Sequence, residues 1–190
     1  MRPIATTRSA AGMPTGRLAV WWLIASEIVI FGGLLASYVM FRLSHEAFSV
    51  QAANTNTWIG ATNTLVLLTS SLAAVLGHKA ADEGDGRRAA RQLYLTAAGG
   101  LTFAAIKFLI EWPHEIREGF TISSGTFWSF YYTAAGIHAA HVMAGVIVML
   151  IIAPRAAKGL DLHRVELIGV YWHFVDLVWI FLFPLLYIAK

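Results

Sequence analysis

His138-x-x-His141 and His173-x-x-Asp176 each set two polar side chains one helical turn apart, and Glu27 stands inside the run Ser26-Glu27-Ile28-Val29-Ile30. Three imidazoles and a carboxylate are good ligands for zinc, iron or copper. Two histidines at matched depth on facing helices could instead hold a haem. The same side chains, bonded across helices, would simply fix helix register. The last reading is adopted, because His173 already has Asp176 beside it and no cysteine or open-site signature accompanies the set. His138, His141, His173 and Asp176 are therefore assigned to a structural polar network, with no metal, cofactor-binding or catalytic residue. Glu27 is read as a proton-uptake or lipid-contact carboxyl, with a carboxyl bonded to a neighbouring helix as the competing reading. Lys107 and Glu111, four residues apart ahead of Trp112-Pro113, form an ion pair expected at the outer membrane interface. Two independently snorkelling side chains are the competing reading for that pair.

Nothing else in the chain resembles a self-sufficient catalyst. It has no Gly-rich phosphate loop, nucleophile–base set or paired-carboxylate hydrolase pattern. With no cysteine among 190 residues, thiolate chemistry, iron–sulfur clusters and disulfides are excluded. The formal charge of +3 is spread over loops, without the basic patch that nucleic-acid binding needs.

The elements that must position these side chains are membrane helices. Hydrophobic residues make up 57% of the chain and charged residues 13%, and the mean hydropathy is +0.62, which defines an integral membrane protein. Five apolar segments, at about 18–43, 57–78, 89–112, 126–153 and 166–188, each reach the ~20 residues a spanning helix requires. An all-α bundle of five transmembrane helices follows, as one domain over 18–190 behind a polar, basic tail at 1–17. The first segment is too long for a signal-peptide core and reads as a retained anchor. Short connections predict that consecutive helices are antiparallel neighbours.

Orientation follows from Lys and Arg. Ten of them (Arg2, Arg8, Arg17, Lys79, Arg87, Arg88, Arg91, Arg155, Lys158 and Arg164) fall on one side, and Arg42, Arg117 and Lys190 on the other. This bias predicts a cytoplasmic N-terminus and a C-terminus on the outer side. Aromatic belts are expected around Trp21, Trp22, Tyr94, Tyr171 and Trp172 on the inner side, and around Tyr38, Trp58, Trp112, Trp128, Tyr131 and Tyr187 on the outer side. Candidate close-packing seams are Gly32, Gly33 and Ala36, then Ala97 to Gly100, then Gly136, Ala140 and Ala144. Pro184 deprives the carbonyl of Ile180 of its usual bond and predicts a kink in the last helix. At 1.5 Å per residue, Glu27 lies ~14 Å in from Leu18. Asp176 lies at a similar depth and His141 within ~18 Å of Ala153, so these groups share a layer in the inner half of the bilayer. A small transporter is a further reading of the buried carboxylates, but there is no inverted repeat or pair of broken helices to build a midplane substrate site.

Five stretches together resemble subunit III of the haem–copper oxidases. They are Ala25-Ser-Glu-Ile-Val-Ile-Phe-Gly-Gly33, Asn63-Thr-Leu-Val-Leu-Leu-Thr-Ser-Ser71, Lys107 to Trp112 with Gly119-Phe-Thr-Ile-Ser123, Gly136-Ile-His-Ala-Ala-His141 and Tyr171-Trp-His-Phe-Val-Asp-Leu-Val-Trp179. Their order and spacing match from Trp21 to Tyr187. The resemblance implies an accessory subunit without haem or copper, packed on the catalytic subunit I, with subunit II and other oxidase chains as further partners. That subunit I would carry the redox centres of a proton-translocating cytochrome c oxidase of the respiratory chain. It also implies bound phospholipid, support of proton uptake, and a multi-pass location in the bacterial inner membrane. Glu27 takes the place of the family's membrane carboxyl in its Ser-Glu motif, and His138, His141, His173 and Asp176 match polar positions of the last two helices. The longest family members have seven helices, and their two extra N-terminal helices form one wall of the lipid cleft. Five-helix forms also occur in quinol oxidases and in a subunit associated with nitric oxide reductase, which the ending Trp179 to Tyr187 resembles. These remain the alternative readings.

Overall fold

The computed structural model describes residues 9–10, 13–44 and 47–189. Arg2, Arg8 and Lys190, used above for orientation, lie outside the described residues. A two-residue ladder, β1 (Ser9–Ala10) with β2 (Met13–Pro14), precedes the helices. Then follow α1 (Thr15–Ser44), the short α2 (Ala47–Ala52), α3 (Thr57–Asp82) and α4 (Gly86–Ala105). A π-helical turn (Ile106–Glu111) carries α4 into α5 (Trp112–Arg117), and α6 (Thr126–Ala156) and α7 (His163–Phe183) complete the bundle before a closing π turn, Pro184–Ile188. Five helical spans are long and apolar enough to cross a membrane: Thr15–Ser44, Thr57–Asp82, Gly86–Arg117, Thr126–Ala156 and His163–Ile188.

Local chemistry explains the punctuation. Asn56 caps α3, its side chain accepting from the amides of Trp58 at 3.1 Å and Ile59 at 3.3 Å, and Asp85 caps α4 by accepting from Arg88 at 2.9 Å. Trp112-Pro113 does not end the third span as expected. The chain enters the wider π turn just before the proline, with the Trp112 amide bonded to the carbonyl of Lys107, and helix continues to Arg117. Pro184 is accommodated in the same way, opening the π turn that ends with the Ala189 amide on the Pro184 carbonyl at 2.8 Å.

α3, α4, α6 and α7 close a ring, with α3 along α4, α4 along α6, α6 along α7 and α7 back along α3. α1 is not the neighbour of α3 that a short connection predicts. It lies against α7, because the connection through α2 packs on α6 and carries the chain across the end of the bundle. The centre of the ring is Trp172, fully buried, with its indole N–H donating to Ser70 Oγ at 3.1 Å. Two glycines make room for it: a Cβ at Gly100 would sit 2.6 Å from its ring, and one at Gly145 2.9 Å. The expected seam at Gly99 and Gly100 is thus a true contact. Gly32 and Gly33 instead face open space, and the close approach on α6 is at Gly145, not at Gly136, where the nearest neighbour is 3.8 Å away.

The aromatic belts also divide. Trp21, Trp22, Tyr94 and Trp58 are exposed, as interfacial residues should be, whereas Trp128, Tyr131, Tyr171, Trp172 and Tyr187 are core residues.

Candidate functional site

Three polar centres occupy the bundle. The first lies in a lateral cleft of about 900 Å³ between α1, α6 and α7. α1 is clamped to the ends of α7. At one end Arg17 pairs with Glu166 at 2.6 Å. At the other the Tyr38 hydroxyl donates to the Leu185 carbonyl at 2.6 Å, and Arg42 donates to the Ala189 carbonyl. Between the clamps the helices separate, and the gap is walled by apolar side chains such as Leu23, Val148, Ile152 and Leu167. Its deep wall holds Glu27 and His141, with Oε2 of the carboxyl 3.0 Å from Nε2 of the ring. Ile24, Glu27, Phe31 and Tyr38 recur on the buried stripe of α1, and Phe31 meets His141 edge to face at 5.4 Å. His141 Nδ1 donates to the Ile137 carbonyl at 2.8 Å, which leaves Nε2 facing the carboxyl, and Glu27 Oε2 makes no hydrogen bond to any other group among the described residues. His163 and Arg164 stand at the cleft's other end.

The second centre is fully buried. Lys107 and Glu111, expected at the interface, are 0% and 1% exposed, with Nζ 2.9 Å from Oε2. The π turn rotates both inward, where α6 and the C-terminal turn cover them. Tyr187 receives a hydrogen from Lys107 and gives its own to Glu111. The Tyr131 hydroxyl lies 2.8 Å from Glu111 and 3.0 Å from Glu115. The ammonium also sits over three aromatic rings, 5.2 Å from the centroid of Tyr131, 5.0 Å from Trp179 and 4.9 Å from Tyr187. An ion pair this dry needs its remaining hydrogen-bonding capacity met, and the hydroxyls serve the Oε1 atoms of Glu111 and Glu115, while Glu111 Oε2 faces the ammonium and Glu115 Oε2 has no hydrogen bond among the described residues. Glu115, Tyr131 and Tyr187 were missed as partners from the sequence. The signal for Glu115 was available, since it repeats the four-residue spacing from Lys107 through Glu111.

The expected four-residue network does not form as one unit. His141 belongs to the cleft. His138, fully buried, makes no hydrogen bond among the described residues, stacks on Trp179 at 5.0 Å and meets Phe103 edge to face at 5.4 Å. His173 and Asp176 form the third centre, on the opposite side of α7. His173 Nδ1 lies 2.7 Å from Ser71 Oγ of α3, and the buried carboxylate of Asp176 has the Ser71 hydroxyl as its polar neighbour. Depth was legible from residue counting, but helical rotation, which separates His138 from His141 and His173 from the cleft, was not. Among the described residues no three His, Asp or Glu side chains converge as a metal ion would need.

Five apolar spans, a lateral cleft with a carboxyl on its wall and an ion pair sealed inside the bundle define an integral membrane helical-bundle protein. Residues 6–190 match the family model for cytochrome c oxidase subunit III, and the chain belongs to that family. It is 31% identical over 170 residues to a cytochrome c oxidase subunit 3 of Thermostichus vulcanus, covering 87% of this chain and 83% of that one. A probable cytochrome c oxidase subunit 3 of Nocardia farcinica is 34% identical over 174 residues, covering 89% and 85%. A heme-copper oxidase subunit I+III of Aeropyrum pernix is 29% identical over 195 residues, spanning 91% of this chain and 22% of that longer one.

Proposed function

We propose that this chain is an accessory, non-redox subunit of a respiratory haem–copper oxidase of the cytochrome c type, packed on the catalytic subunit I, and that its lateral cleft holds phospholipid. The observation that carries the lipid role is the cleft itself, with apolar walls for acyl chains and the His163–Arg164 pair placed to meet a phosphate. The fused subunit I+III relative supports a catalytic chain as the direct neighbour. Orientation is proposed from charge: the end carrying Arg17, Lys79, Arg87, Arg88, Arg91, Arg155, Lys158 and Arg164 faces the cytoplasm of a bacterial inner membrane. In that orientation Glu27 and His141 lie in the inner half of the membrane, 3.0 Å apart, which is within reach for proton transfer between carboxyl and imidazole, and this supports a role in proton uptake. Purification of the chain in mild detergent tests the proposal. A large haem-bearing membrane chain and stoichiometric phospholipid are expected with it, and the phospholipid should fall when Arg164 is changed to Ala. Recovery of a stable, lipid-free chain alone would overturn it.

A further inference from the structure

His173 is exposed on α7, ~15 Å along the helix from His163 and therefore near the middle of the bilayer. An imidazole at that depth is costly in contact with acyl chains, which offer no hydrogen bond. Its inward nitrogen is engaged, since Nδ1 lies 2.7 Å from Ser71 Oγ. Ser71 in turn neighbours the buried carboxyl of Asp176, whose two oxygens make no hydrogen bond among the described residues. The ring is thus fixed by α3 with Nε2 left outward and without a hydrogen bond among the described residues.

Other outward-facing polar groups at membrane depth do not share this condition. Exposed Ser26, Thr69 and Thr102 return their hydroxyls to carbonyls of their own helices at 2.7, 2.9 and 2.8 Å. The outer surface of α1 is apolar around Ile28, Val29 and Ile30, as a lipid-facing helix should be. The α3–α7 face carries Leu68, Leu72, Val75, Leu177 and Ile180, all exposed, within a turn or two of Ser71 and His173 along their helices, with His78 of α3 as a further polar neighbour. A polar atom centred in an apolar field is the composition of a helix–helix contact within a membrane, where one interhelical hydrogen bond sets register and close packing supplies the rest.

We infer that this α3–α7 face receives a transmembrane helix of the oxidase's larger membrane chain, and that the helix carries a hydroxyl or amide side chain bonded to the outward nitrogen of His173. A hydroxyl or amide fits because either can donate or accept, whichever tautomer Ser71 selects. The inference rests on the accessory-subunit reading above.

The test places a photo-crosslinking residue at Leu177, one turn from His173 on this face, and a control at Val29 on α1, in the complete complex in native membranes. Leu177 is expected to capture the large haem-bearing chain and Val29 to capture lipid. In parallel, His173→Phe, which keeps volume and loses the hydrogen bond, is expected to weaken retention of the large chain by about threefold to tenfold, with His173→Gln restoring most of it. Ser71→Ala separates this role from internal packing, since it removes the inner bond and leaves the outward nitrogen. Capture of lipid or of a second copy at Leu177, or unchanged retention with His173→Phe, would overturn the inference while leaving the accessory role intact. A wild-type chain that retains no haem-bearing partner would remove both.

Discussion

Glu27 Oε2 and His141 Nε2 meet at 3.0 Å on the deep wall of the lateral cleft, a polar contact that bridges α1 to α6 between the clamps that hold α1. Helix α1 is otherwise held by clamps at Arg17, Tyr38 and Arg42, near its two ends. Glu27→Ala should therefore loosen the centre of α1 without releasing it. An interhelical polar contact in a membrane contributes about 0.6 to 1.7 kcal/mol, so amide exchange around Ile28 to Phe31 should rise by roughly threefold to twentyfold. Glu27→Gln, which can still bond to the ring, should show a smaller rise. Exchange followed by mass spectrometry on the complex distinguishes the two, and unchanged exchange in Glu27→Ala would show that Phe31 packing alone holds α1.

Lys107 and Glu111 are buried with almost no exposure on either side, and this predicts an asymmetry. Lys107→Met strands two carboxyl groups, Glu111 and Glu115, in a dry site and should destabilise the subunit by about 3 to 5 kcal/mol. Lys107→Met combined with Glu111→Gln removes the charge with its partner and should recover a large part of that loss. Thermal inactivation of the complex reads both. A double variant no more stable than the single would mean that Glu115, not Glu111, is the partner that matters.

The five spans were legible because each is a long apolar run, and the family was legible because five separated motifs kept their order. Burial of Tyr131 and Tyr187 was not legible. An amphipathic ring near a helix end reads equally as an interfacial anchor or as a hydroxyl reaching a buried charge, and only the inward-turned Lys107 decides between them. The polar network failed for a related reason. Counting residues gives depth along a helix, but the rotation of α6 and α7 about their axes and the cross-connection through α2, which carries α1 to α7, decide which side chains face one another. The seam at Gly145 was hidden because its reason is Trp172 on another helix.

The loop between α6 and α7 predicts an acid dependence. Asp161 accepts from Arg155 Nε at 2.7 Å, with Nη2 at 2.6 Å and Arg164 Nε at 3.9 Å. The hydrogen bond from Arg155 is the main reason its pKa lies below the ordinary carboxylate value, with the nearby cationic side chains adding to it. A carboxyl lowered in the folded state contributes fully above its unfolded pKa and loses that contribution as pH falls through the folded one. Loop ordering should thus be constant near neutrality and decline below the usual aspartate range. Asp161 also has φ of 56°, which asparagine tolerates. Asp161→Asn should therefore keep the turn, lower protection at neutral pH and flatten the acid decline, as pH-dependent amide exchange in residues 155–165 would record.

Gly100 and Gly145 both press on the six-membered ring of Trp172, and a Cβ at Gly100 would lie 2.6 Å from Trp172 and 2.7 Å from Val146. Neither neighbour can yield easily, because Trp172 is pinned by Ser70 through its indole nitrogen and Val146 is almost fully buried. Gly100→Val should destabilise the bundle by about 1 to 3 kcal/mol through overpacking. Gly32→Val, on the open face of α1 where nothing lies within 4 Å, should shift stability by less than about 0.5 kcal/mol, like other substitutions that disturb no packed contact. Thermal unfolding of the two variants in the same detergent gives the comparison. Equal shifts would mean that α4 slides past Trp172 at little cost, and that the glycine contact does not set the spacing of the ring.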